Sequence, residues 1–175
     1  MNRPGPSEFA EFYSTYASLV PDGDVLATLA EAPDAIEQML NGVSGEQEMF
    51  AYGPDKWTLR EVIGHVIDAE RMFAYRALHF ARGDQASLPG MEQDEWAGAS
   101  NAADRDLGEL LAEFRALRTA NVSFFSSLDE DSLSRRGVAS GTEVTVRALV
   151  HIVCGHELHH RGVLRERYLP GMQLS

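Results

Sequence analysis

Apolar residues recur at intervals of three and four along most of this chain, and clusters of turn-forming residues interrupt the pattern in a few places. That spacing puts the apolar side chains on one face of a helix. The first stretch, 7–19 (SEFAEFYSTYASL), gathers Phe9, Phe12, Tyr13 and Tyr16 on one face and predicts a short docking helix. PDGD breaks the chain, and 24–42 follows as the first bundle helix, with Pro33 expected to kink or divide it. A second helix starts at Thr58, whose spacing from Glu61 in WTLRE is that of a capping box, and runs to about Ala81. The third spans about Asp104 to Ser127, and the fourth roughly 143–168, ending before Pro170.

Residues 82–106 form a long turn-rich connection, and connections of that length in compact domains are often functional. Apolar patterning lapses again in DEDSLSRRGVASGTE, before the fourth helix. No strand pair, internal repeat or second domain is apparent. The expectation is an all-α, antiparallel four-helix bundle occupying 1–175 as one domain, with 1–22 as an N-terminal arm carrying the extra helix.

Composition changes this picture little but excludes much. The content of 44% hydrophobic and 24% charged residues suits one compact domain. A formal charge of −12 repels a phosphate backbone, and the basic clusters Arg135–Arg136 and Arg161, Arg165, Arg167 are too small to reverse that, so no nucleic-acid partner is expected. The second cluster suits the negative end of the fourth helix. Cys154 is the chain's one cysteine, which rules out an intrachain disulfide and fits a reducing cytoplasm. No apolar run approaches the roughly 20 residues of a membrane span, and the N-terminus lacks a secretory pattern. The aromatic leading helix offers a face for a second copy, so a homodimer is the expected assembly.

The candidate chemistry lies in GHELHH, 155–160, which holds three of the six histidines. With His156 at zero and about 100° per residue, Leu149, Ile152, Val153, Val163 and His160 fall within about 60° of it. His156 and His160 therefore face the bundle interior one turn apart, whereas His151 lies about 140° round and His159 about 60° to the other side. Two imidazoles on one face can address a common ion, but a complete site needs a third ligand from another helix. His65 is that donor: Val62, Ala69, Met72 and Phe73 share its side of the second helix. His79, about 21 Å further along, sits too near the helix end to join it.

Each residue also has a plainer role. A lone inward histidine is ordinarily a hydrogen-bonded core residue, and the case for a metal rests on three together. Cys154 points away from His156 and serves packing. Glu157, about 100° from His156, could take a proton or orient a ligand, or be surface. Asp68 could orient His65 and Arg76 could meet an anionic substrate, although either could be structural, as could Glu61. Trp57 anchors a helix end, and Trp96 could wall a site from the long connection. His156 to His160 also spells the zinc-protease His-Glu-x-x-His, but those enzymes need a sheet to align substrate, and no strands are apparent here.

KWTLREVIGHVIDAERMFAYRALHFARGD, LPGMEQDEW and TVRALVHIVCGHELHHRGVLRERYL together resemble the DinB-like (DinB/YfiT) metalloenzyme family over nearly the whole chain. The resemblance implies a four-helix bundle binding a divalent metal, often nickel or zinc, through His65, His156 and His160. It implies an enzyme activating a thiol or water for transfer or hydrolysis on a small molecule, with a low-molecular-weight thiol as a candidate cosubstrate. The alternative is a non-catalytic stress or ligand-binding protein whose metal only braces the bundle.

Overall fold

The computed structural model describes residues 1–172. After 3₁₀ turns at Pro6–Glu8 and Glu11–Tyr13 come helices α1 (Ser14–Leu19), α2 (Val25–Met39), α3 (Leu59–Ala81), α4 (Gln93–Ala99), α5 (Leu107–Ser126) and α6 (Glu130–Ser134). A two-stranded antiparallel hairpin, β1 (Arg136–Ala139) and β2 (Thr142–Thr145), leads into α7 (Val146–Val163). The described residues end in a π-helical turn, Leu164–Tyr168, and a 3₁₀ turn, Leu169–Met172.

Helices α2, α3, α5 and α7 form the bundle. α3 packs on α5 and α7, and α2 completes the ring by packing on the same two. The first two bundle helices therefore lie across the bundle from each other. Two apolar clusters fill it. One takes Ala69 to Ala81 of α3 with Val146 to Cys154 of α7, and the other takes Leu59 to Ile67 with Leu164 and Tyr168. His65 and His156 fall at the seam between them.

The expected start of α3 is present in full. Thr58 Oγ1 accepts from the Glu61 N–H, and Glu61 Oε2 accepts from the Thr58 N–H at 2.7 Å. Pro33 neither divides nor ends α2. It has no N–H for the Leu29 carbonyl four residues back. Arg118 of α5 supplies the missing donor, Nη1 to Leu29 O at 3.0 Å.

Three expectations need correction. A strand pair exists: Ser140 and Gly141 take φ of +53° and +76°, as a tight two-residue turn between twisted strands requires. Its alternation is only four residues long on each side, too short to stand out from helical patterning. The fourth helix consequently begins at Val146, not 143, with Thr145 as its cap. The leading segment is not one helix over 7–19, because Phe9 is extended (φ −153°) and the regular helix starts at Ser14. Of its aromatics, Tyr13 is buried and Phe12 is exposed.

Candidate metal centre

His65 stands in the second turn of α3, and His156 and His160 stand one turn apart on α7, which packs against α3. The approach of their neighbours is close. A Cβ on Gly155 would lie 2.0 Å from the Tyr16 carbonyl oxygen, so only glycine lets α1 settle on α7 here. Tyr16 then stands edge-on to both His156 and His159, at 5.3 and 5.4 Å between centroids.

The three rings converge. One nitrogen from each of His65, His156 and His160 lies within 4.8 Å of the other two, and the Nε2 atoms of His65 and His156 are 3.1 Å apart. Ring centroids are 4.5 to 5.0 Å apart. Trp57 packs on His65 at 4.6 Å, and Phe73 lies 5.9 Å from His156.

Burial makes these rings poor bases. Desolvation pushes His65 down to about 4, against the opposing charge of Asp94 and with a small contribution from His159. His160 is pushed to about 3 by burial and then by His65 and His159, and His156 is also lowered well below its ordinary value. Neutral imidazoles are what a metal ion needs, because a protonated ring has no free lone pair. The donor set fits a divalent cation of borderline softness, with three nitrogens and room for further ligands.

The cluster opens on two hollows. His156 lines one of about 550 Å³, between α1, α3 and the long connection, and His160 lines a smaller one of about 210 Å³ beside Trp57 and Tyr168. Gln93 and Asp94 border both.

A family model of the DinB superfamily matches residues 28–164, which include all three histidines. The chain belongs to the DinB superfamily. It is 23% identical over 137 residues to a Geobacillus thermodenitrificans protein named "Putative metal-dependent hydrolase", with 77% of each chain covered. Its fold is similar to that of Bacillus subtilis YfiT, described as "a probable metal-dependent hydrolase with an unusual four-helix bundle topology", at TM-score 0.71 and 17% identity over 94% of this chain and 92% of that one. A second similar structure is a Bacillus subtilis DinB-like protein, YjoA, at TM-score 0.57 and 17% identity, covering 82% and 87%.

Within this DinB-superfamily chain, the other residues singled out from sequence are scattered. Asp68 is a third exposed and pairs with Arg71 at 3.4 Å, away from the cluster. Glu61 is engaged in the α3 cap. Glu157 is not at the surface: it is 2% exposed and turns toward Arg161, whose Nε is 3.3 Å from Oε1, although the angle is wrong for a hydrogen bond. Burial raises its pKa, against Arg161 and Arg118, with Glu70 adding to the rise. Arg76 is buried and lines the larger hollow. Trp96 is exposed and borders a separate hollow with Tyr75 and Pro89. Cys154 is buried, and desolvation first, then Glu157, push its thiol up to about 12, which leaves it inert.

The remaining histidines have other contacts. His79 Nε2 lies 3.3 Å from both Asp84 Oδ1 and Ala86 O, and His151 Nδ1 bonds to Arg147 O. His159 packs between Tyr16 and His160. Sequence reasoning missed Tyr13, Asp94 and Ser140 as neighbours of the site. Asp94 lies in the quoted LPGMEQDEW, and a Ser-Gly pair between β-branched runs is a hairpin signal that would have placed Ser140.

Proposed function

We propose that His65, His156 and His160 bind one divalent cation, zinc or nickel, and that the protein is a metal-dependent enzyme hydrolysing a small molecule. The observation that carries this reading is the convergence of three imidazoles from two helices, those of His65 and His156 buried and that of His160 half-buried, with His156 lining a 550 Å³ hollow. The names of the Geobacillus and Bacillus relatives support hydrolysis. When bound, such an ion supplies Lewis-acid activation of water or of a thiol near neutral pH.

The chain's own residues do the rest. Trp57, Phe73 and Tyr16 wall the rings and keep them from rotating away. Their apolar surface also excludes bulk water, which strengthens every charge interaction inside. Asp94 is the carboxylate whose field reaches His65, and it stands where both hollows meet. It is the group best placed to accept a proton at the mouth.

Protein purified without added metal or a chelating tag should carry about one divalent ion per chain by elemental analysis. His156→Ala should lower metal affinity by at least about 100-fold, the upper end of what weaker perturbations of metal sites produce. Turnover of a screened ester, amide or thiol-conjugation substrate should disappear with the metal. If His156→Ala still folds cooperatively, melting like the chelated parent, and loses turnover, the ion serves chemistry. Loss of folding in that variant, with no turnover by the parent, would make it a brace instead.

A further inference from the structure

Two arginines are buried to 2% exposure or less, Arg118 and Arg76, and they differ in one respect. Arg118 has a carboxylate: its Nε and Nη2 fork onto Glu70, also buried, at 2.8 to 3.0 Å. Arg76 has none. Among the described residues no acidic group comes within 4.0 Å of its guanidinium, and its polar neighbours are neutral: Nη2 donates to Pro89 O at 2.6 Å and to Ser140 Oγ at 3.0 Å, and the Tyr13 phenol also lies against it. A desolvated cation without a counter-charge is costly unless something charged comes to it.

The surroundings of Arg76 supply the place for that charge. Arg76, Tyr13, Ser140, Met72 and Phe73 line the same 550 Å³ hollow as His156. Phe73 stands between the two ends, 5.7 Å from the Arg76 guanidinium and 5.9 Å from the His156 ring. A molecule lying across Phe73 therefore reaches both. The acceptors that aim the guanidinium are themselves fixed. Leu88 bonds into the hairpin through Val138 O and Ser140 N, and Ser140 is held at positive φ, which is uncommon for a residue with a side chain.

We propose that Arg76 is the anchor for the carboxylate of a small monoanionic substrate whose apolar body lies over Phe73 and Met72 toward the histidines. This deepens the hydrolase reading and rests on it for the position of the reacting bond. The count of one negative charge comes from the rim. Glu92, Asp94 and Glu95 line the exposed side of the same hollow and repel a phosphate or a dicarboxylate. Among the described residues that line this hollow, Arg76 is the one arginine or lysine, a single fixed cation for a single anion.

The test is calorimetric titration of the metal-loaded protein at low salt with butanoate, 3-phenylpropanoate, the matching neutral amides, and 3-phenylpropyl phosphate. The carboxylates should bind at least tenfold tighter than their amides, and 3-phenylpropanoate tighter than the phosphate. Arg76→Gln should abolish the preference over the amide while metal content by elemental analysis stays unchanged. Arg76→Lys keeps the charge but not the fork, so it should retain part of the preference, and it decides the matter if Arg76→Gln does not fold.

Equal binding of acid and amide across the series, or tighter binding of the phosphate, overturns the proposal. A preference that survives Arg76→Gln but vanishes on chelation also overturns it, by placing the carboxylate on the metal. Carboxylate preference that depends on Arg76 in protein holding no divalent metal supports the anchor and removes the metal reading alone.

Discussion

The fold holds charged side chains that an interior does not easily tolerate, and the protein handles each differently. Glu70 and Arg118 are buried together and fully engaged, with Asn121 Nδ2 donating to Glu70 Oε1 and Phe114 under the guanidinium at 4.8 Å. Breaking such a pair from one side leaves a bare buried charge, which costs about 3–5 kcal/mol. Arg118→Met should therefore lower the melting temperature by about 6–20 °C in a chain of this size, measured by calorimetry. Glu8 is a milder case. Burial opposes its charge, but the Gly5 N–H, the Thr145 hydroxyl and Arg147 together hold its carboxyl below the ordinary 4.5. A depressed acid stabilises the fold above its unfolded value and loses that contribution as pH falls through its folded one. Glu8→Gln should be less stable than the parent by about 1–3 kcal/mol at pH 7. The gap should begin to narrow below the ordinary value and vanish below the lowered folded one, as read from urea melts across pH.

At the scale of elements, the decisive contacts are those that bring short segments onto the bundle. Gly155 lets α1 lie on α7, which sets Tyr16 against His156 and Tyr13 beside Arg76. Gly155→Ala must push the Tyr16 backbone away, at about 1–3 kcal/mol for overpacking. Circular-dichroism melts should show that loss, and metal affinity should weaken with it because Tyr16 buttresses the His156 ring. The α3 cap adds no ligand to the site. Thr58→Ala should cost about 0.5–2 kcal/mol and leave metal content unchanged. The helices and this cap were legible because they depend on local spacing: capping boxes and three-four periodicity involve residues within a turn or two. The hairpin was not, since its strands are four residues long and their pairing depends on Phe80 packing against Gly137.

For the whole molecule, the histidine cluster lies at the junction of two apolar clusters, so a metal bound there would be coupled to the fold. A ligand bound by the native state alone stabilises it by mass action, about 2.7 kcal/mol at a hundredfold excess over its dissociation constant. Chelation should thus lower the melting temperature even where no substrate is present, and re-addition of zinc or nickel should restore it. Among the described residues no helix is long and apolar enough to cross a membrane.

The amino-acid order alone determined the four long helices, the inward faces of His65, His156 and His160, and the resemblance to the DinB-like family. All of these follow from periodicity within single helices or from motif matches. It could not determine that Glu157 turns from the histidines toward Arg161, that Pro33 hands a carbonyl to Arg118, or that Arg76 lies buried without an acid. Those outcomes depend on which helix faces which, and on backbone from distant segments closing around a side chain. Only the packed chain fixes these, because desolvation and pairing are properties of neighbours in space.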